Sequence, residues 1–284
     1  MAASWEWDDT LFAGTAPYYR RGRLPYAPGL AEVLAKALRL DGTGRLLDVG
    51  CGPGVLALDL AHLFREVVGL DPDGGMIAEA EREAARRAVT GAARWVRARA
   101  EELPAGLGAF TVVTFGQSFH WMDRDRVAAT VRDLLEPGGA LVHVADVKTD
   151  PVAPDGDDLP HPAVPHDAVR DLVGRYLGPV RRAGRGTLPQ GTPDGEAAVF
   201  ARAGFTGPEH HVVPGGQALE RTEDDAVAGV FSLSFSAPHL FGVRRAAFER
   251  DLRRLLREAS PSGRFSVRQP GTEVFVWRTA GPVA

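Results

Sequence analysis

Short apolar runs closed by a glycine or an acid recur between Arg45 and Val147, and they alternate with stretches whose apolar residues return every three or four positions. Short apolar runs read as strands buried on both faces, and the longer period reads as helices lying against them. The pattern predicts strands at 45–50, 66–71, 92–97, 110–115 and 139–146. Helices fall between them, at 54–64, 74–89 and 123–135. Such alternation makes parallel βαβ units and predicts half of a doubly wound sheet. The turn Glu136-Pro137-Gly138-Gly139 is expected to stop the last helix and start the fifth strand.

The flanks read less regularly. Pro28 to Leu40 is amphipathic, with Leu30, Val33, Leu34, Ala37 and Leu38 on one side, and is expected to cover the flank of a cleft. Residues 151–193 hold eight of the chain's 21 prolines, too many for a regular sheet or long helices. They read as an insertion on the substrate side, where an open α/β sheet carries its specificity. Regular pattern resumes with a helix at 194–203, a strand at 209–214, a helix at 243–259 and a final strand at 273–278. Val230 to Phe241 (VFSLSFSAPHLF) has two readings, a core helix and a lid over the substrate pocket. No internal repeat is present.

At 284 residues the chain is long enough to bury a substantial core, as one large domain or two small ones. Charged residues make up 25% and the net charge is -4, which gives no global attraction to nucleic acid or an anionic membrane. The single cysteine, Cys51, excludes an internal disulfide framework and fits a reducing compartment. The start, MAASWEWDDTLF, lacks the basic and apolar regions of a signal peptide, and no segment nears the ~20 apolar residues of a membrane span. A cytoplasmic protein is expected.

The chemistry concentrates in Leu46 to Gly54, LLDVGCGPG, where a buried strand runs into a glycine-rich turn and then a helix N-terminus. Glycine lets the backbone take positive φ and approach a ligand, and the helix N-terminus attracts negative charge. The dinucleotide fingerprint is GxGxxG. Here the third glycine comes one residue early, with Val55 in the fingerprint's place, which favours S-adenosylmethionine over a nicotinamide cofactor. The alternative is an ordinary strand-to-helix turn with incidental glycines.

LLDVGCGPG resembles the first motif of class I S-adenosylmethionine-dependent methyltransferases. Later segments are similar to the actinobacterial small-molecule branch, the methyltransferase type 11 group akin to trans-aconitate methyltransferases. The resemblance implies a Rossmann-like α/β fold: a seven-stranded, mostly parallel sheet with helices on both faces and an antiparallel hairpin edge. It implies one domain over 1–284, with the cofactor-binding half at about 28–149 and an insertion or cap at 150–193 and 220–243.

It also implies roles for particular residues. Asp48 lies near the amino acid end of the cofactor, Gly50, Gly52 and Gly54 permit close approach, and Cys51 is a small packing residue within the turn. Asp71, 21 residues beyond Gly50 and followed by Pro72, takes the ribose hydroxyls. A helix cap or turn residue is its other reading. Met76 packs on the adenine, or is a simple core residue. Ala100 and Glu101 begin an AExLP-like segment that meets the adenine, although Arg99 stands where many relatives have Asp, so the acidic contact moves to Glu101. Gln117 lies in GQSFHW, residues 116–121, which borders the methionine end, and His120 is the candidate base or substrate contact. A structural His120, with Phe119 and Trp121 as packing, is the alternative. Tyr19 and Arg23 close over the cofactor, with the arginine on its carboxylate, unless Arg20, Arg21 and Arg23 form a solvated basic turn. No metal site is expected, since His161, His166, His210 and His211 lack a ligand pattern.

The expected reaction is methyl transfer to oxygen, nitrogen or carbon of a small molecule, leaving S-adenosyl-L-homocysteine. In-line displacement needs alignment in a closed pocket more than covalent chemistry. The alternatives are a cofactor-binding or regulatory module, a non-methylating enzyme on the same fold, and a nucleic-acid or protein methyltransferase, which the acidic balance disfavours. A small-molecule partner is expected, without nucleic acid or membrane, and a homodimer is left open.

Overall fold

The computed structural model describes residues 8, 10–89, 91–147, 159–180, 182–183, 186–187 and 195–279. In chain order, helix α1 (Ala16–Gly22) and α2 (Leu30–Leu38) precede β1 (Arg45–Val49), α3 (Val55–Leu60), β2 (Glu66–Asp71), α4 (Gly74–Arg86) and β3 (Ala93–Arg97). Then come β4 (Phe110–Gly116), α5 (Arg124–Leu134), β5 (Leu135–Asp146), α6 (His166–Leu177), the short strands β6 (Arg182–Ala183) and β7 (Gly186–Thr187), and α7 (Glu196–Arg202). The chain closes with β8 (Phe205–Val213), β9 (Ala218–Thr222), α8 (Glu223–Phe231), α9 (Arg245–Ala259), β10 (Arg264–Arg268) and β11 (Thr272–Thr279).

Seven strands form one sheet in the order β3-β2-β1-β4-β5-β11-β8. The first five pair in parallel, while β11 runs antiparallel between β5 and β8. This is the expected seven-stranded sheet with an antiparallel edge. Its strand order reverses at β1 and β4, so the loops after those strands diverge and open a crevice at their carboxyl ends. Local chemistry fixes the helix starts: Asp73 caps α4 by accepting from Gly75 and Met76 at 2.7 and 3.0 Å, and Asp123 caps α5 through Arg126.

Apolar layers cover both faces of the sheet. One gathers Phe110, Phe115, Phe119 and Phe200, and the other Leu34, Leu46, Leu60 and Val142. A third cluster lies off the sheet and joins α6, α8 and α9 through Leu172, Phe231, Phe241, Phe248 and Leu252, with Phe265 of β10. It is the core of a cap over the crevice.

Four expectations need correction. The turn at 136–139 does not precede the fifth strand. β5 begins at Leu135 and absorbs the glycines as an irregularity in its register with β4, where a Cβ on Gly139 would meet the Glu136 and Thr111 carbonyls at 2.9 and 3.0 Å. The proline-rich segment is not without long helices: α6 has 12 residues, because no proline falls between Pro165 at its start and Pro179 beyond its end. The rest of the expected insertion, at 148–158, 181, 184–185 and 188–194, lies outside the described residues. Val230 to Phe241 is not one core helix, since it finishes α8 and continues as 3₁₀ turns at Ser234–Ser236 and Pro238–Arg244, and Val230, Leu233, Phe235 and Ser236 line the larger chamber. The two-stranded ribbon of β9 and β10 was not anticipated. No single helix among the described residues is long and apolar enough to cross a membrane.

Candidate functional site

The glycine turn sits in the crevice between β1 and β4. Gly50, Gly52 and Gly54 all take positive φ, at 70, 53 and 73°. Two of them have a second reason to be glycine. A Cβ on Gly50 would meet Ser118 Cβ at 2.6 Å, and one on Gly54 would meet the Trp95 ring at 2.5 Å. Gly52 differs, because nothing lies within 4 Å of its Cβ direction and its backbone faces open space. Leu70 of β2 accepts from the Gly50 and Cys51 amides at 2.8 and 3.0 Å, so the second strand holds the turn. Cys51 is buried against Gly69, and burial pushes its thiol well above the ordinary range, as suits a packing residue.

Three parallel strands carry a carboxylate at or next to their end, one buried and two half-buried. Asp48 is 1% exposed and its Oδ1 accepts from the Thr114 hydroxyl at 2.8 Å, but its Oδ2 is buried without a partner. Burial raises it to about 7. Asp71 accepts from the Gly52 and Asp73 amides, both at 2.9 Å, and burial raises it to about 6. It ends a strand and holds a turn, while the helix cap is Asp73. Asp146, at the end of β5, accepts from Gln117 Nε2 at 2.7 Å and is also raised by burial. Gln117 makes that bond from a positive φ of 53°, a cost for a residue with a side chain.

Helix α1 brings Tyr19 and Arg23 over these groups. Burial raises the Tyr19 hydroxyl, and the Arg23 guanidinium carbon lies 5.1 Å from the Tyr19 ring centre. Arg23 donates to the Ser232 carbonyl at 3.2 Å, and its Nε is buried without a partner. The basic turn is not solvated at large: Arg20 pairs with Glu83 at 3.1 Å and Arg21 with Asp225 at 2.6 Å, tying α1 to α4 and α8.

Two chambers meet at this turn. The larger, of about 770 Å³, is lined on the sheet side by Tyr19, Arg23, Tyr26, Asp48 and Asp146, and on the cap side by α6 and α8. The smaller, of about 70 Å³, is lined by Asp71, Pro72, Met76, Ala100 and Glu101, with Phe12 and Trp121. Tyr19, Gly50, Gly52, Gly116 and Gln117 border both. Met76 is 2% exposed and so is both core and lining. Glu101 accepts from the Asp123 amide at 2.8 Å and lies 3.4 Å from Arg99.

Of the expected site residues, Gly54 and His120 line neither chamber. Phe119 to Trp121 is a 3₁₀ turn, in which successive side chains point about a third of a turn apart. Phe119 takes the core and Trp121 the small chamber, so His120 is turned away, its ring 4.8 Å from that of Trp121. Tyr26 and Asp146 were missed by the sequence reading. Asp146 carried a signal, an acid closing an apolar strand, as Asp48 and Asp71 nearly do.

The orphaned polar atoms define what fits. Asp48 Oδ2 calls for a donor and Arg23 Nε for an acceptor, which are the two ends of an α-amino acid zwitterion. Gly52 leaves room for close approach, and Asp71 with Met76 supplies a polar edge and an apolar face for a nucleoside. The residues present fit S-adenosylmethionine.

Residues 46–139 match a family model described as a methyltransferase domain. The chain is similar to a probable S-adenosylmethionine-dependent methyltransferase of Saccharomyces cerevisiae, with 28% identity over 44% of this chain and 43% of that protein. An uncharacterized methyltransferase of Mycobacterium tuberculosis is 32% identical over 46% of this chain and 49% of its own length. The chain therefore spans about half the length of the curated relatives it matches. Among solved structures, an S-adenosylmethionine-dependent methyltransferase of Geobacter sulfurreducens, in complex with S-adenosyl-L-homocysteine, aligns over 95% of this chain and 98% of its own with a TM-score of 0.51 at 16% identity. That likeness is one of fold.

Proposed function

We propose that this chain, which carries a methyltransferase domain of the S-adenosylmethionine-dependent class over residues 46–139, methylates a small organic acceptor held in the larger chamber. The observation that carries the reading is the shared border: Tyr19, Gly52 and Gln117 face both the small recess beside Asp71 and Met76 and an apolar-walled chamber. When bound, S-adenosylmethionine supplies an electrophilic methyl group on a sulfonium. The chain's residues do the rest. Asp71 accepts ribose hydroxyls, Met76 and Trp121 offer faces to the adenine, and Asp48 and Arg23 hold the ammonium and carboxylate of the amino acid end.

The largely apolar cap walls limit the water around the reacting atoms, so an anionic nucleophile meeting the sulfonium would lose charge in a space of low polarity, which favours the displacement over separated ions. An acceptor hydroxyl must also lose a proton. Asp146, with Oδ2 fixed by the bordering Gln117, offers its Oδ1 for that proton from the wall of the larger chamber, a position His120 does not occupy. Incubating the protein with methyl-labelled S-adenosylmethionine and a pool of small metabolites tests the reading. Label should pass to a small molecule. Label found only in protein or nucleic acid would contradict it, and bound cofactor without any transfer would make the chain a binding module.

A further inference from the structure

The large chamber has a cationic feature that cofactor binding leaves unused. Arg221, at the end of β9, lines it and is partly buried there. The guanidinium donates to the Arg21 backbone carbonyl and forms no ion pair among the described residues. The acid it feels is Asp225. That carboxylate is already committed, accepting from Arg21 Nε at 2.6 Å and from the Thr222 amide and hydroxyl at 2.8 Å each. Burial accordingly holds the Arg221 guanidinium below its ordinary range. A partly desolvated cation without an anion is costly until a ligand supplies one.

The other arginines of the chamber are differently placed. Arg170 pairs with Asp167 at 2.9 Å with its side chain 71% exposed, and Arg23 belongs to the cofactor's amino acid end. The walls beside Arg221 are largely apolar, with His166, Arg170 and the already paired Asp225 among them. Val169, Val173 and Leu177 stand four residues apart on α6, and Ala226 and Val230 do the same on α8, so one stripe of each helix faces the chamber. Asp48 and Asp146 line the turn side and repel an anion there.

Building on the acceptor reading of this chamber, we infer that its ligand is an amphipathic acid, with its carboxylate on Arg221, its apolar body along α6 and α8, and its other end at Gln117. Calorimetric titration of the protein saturated with S-adenosylhomocysteine tests this, with octanoate, octanol and octylamine as probes. Octanoate should bind at least about tenfold more tightly than either of the others, the scale of one charge-assisted pair. Arg221→Gln should bring octanoate down to the octanol level while S-adenosylhomocysteine affinity and the unfolding midpoint stay unchanged, and Arg221→Lys should keep part of the preference.

Octanol binding as well as octanoate, no octanoate binding, or full octanoate binding by Arg221→Gln would each overturn the inference. The comparison of probes on the unaltered protein decides even if a variant misfolds. Running the series without S-adenosylhomocysteine as well separates the two questions: failure of the cofactor to bind removes the cofactor reading, while the three probes still decide the acid.

Discussion

The cofactor half and the cap enclose the same cavity, yet they are held together by different means. Around β1 and β2 the fit is set by backbone: Gly54 and Gly69 both lie against Trp95, where a Cβ would come within 2.5 and 2.4 Å of the ring. In the cap it is set by side chains. Phe241 and Phe248 stack at 4.0 Å, and Glu223 binds both Arg253 and Arg257. Backbone-limited packing admits few substitutions, whereas an aromatic cluster ringed by ion pairs can be repacked one side chain at a time. The first half is suited to hold one invariant ligand, and the second to vary with the acceptor.

Substitutions in the two regions should therefore fail differently. The largest effect is expected for Gly54→Ala, which adds a clash with Trp95 to a positive φ and should cost roughly 3 kcal/mol in urea unfolding. A loss below about 1 kcal/mol would dissolve the contrast. Gly22→Ala comes next. Its Cβ would meet the Ala228 carbonyl oxygen at 2.4 Å, where α1 crosses α8. A peripheral seven-residue helix can lift away, so roughly 2 kcal/mol is expected, together with weaker cofactor binding as Tyr19 and Arg23 move. Gly52→Ala is the sharpest discriminator, since its Cβ meets nothing: stability should fall by only about 1 kcal/mol while S-adenosylhomocysteine affinity drops.

The halves should also answer pH in opposite directions. Asp48 and Asp71 have folded values of about 7 and 6, above those of an unfolded chain, so the native state holds the extra protons across that interval. Their effect is to lower stability as pH rises from the ordinary carboxylate range to about 7, after which it levels. Asp48→Asn should flatten that slope. Glu223 is held below its ordinary value, first by its hydrogen bond from Arg257, so its contribution is present above the unfolded value and lost as pH falls through the folded one. Glu223→Gln should flatten the acid limb, a smaller effect because Arg257 is largely exposed. Urea midpoints across pH for the two variants check both.

How much of this was legible follows the same division. β1, β2, β4 and the second half of β5 are largely buried, so they stand out as apolar runs, and Asp48, Gly50 and Asp71 at the ends of the first two mark the crevice directly. The cap hides its elements. ALERT and RFSVR pair as a ribbon whose alternation is short and largely polar, and α6 is masked by the prolines on either side of it. His120 stands outside both chambers for a geometric reason, because sequence places it three residues from Gln117 while the 3₁₀ turn points it elsewhere. Asp146 and Tyr26 are brought to the wall of the larger chamber by β5 and by the segment before α2, contacts that no local pattern records.

The joint cofactor site is tested most directly by calorimetric titration of S-adenosylhomocysteine into the unaltered protein and into Asp71→Asn. One molecule should bind per chain, and Asp71→Asn should weaken it about a hundredfold, the loss of two hydrogen bonds to a charged acceptor. Absence of binding by the unaltered protein, or equal affinity for the two, would contradict the assignment of the glycine turn and the ends of β1 and β2 to a methyl donor.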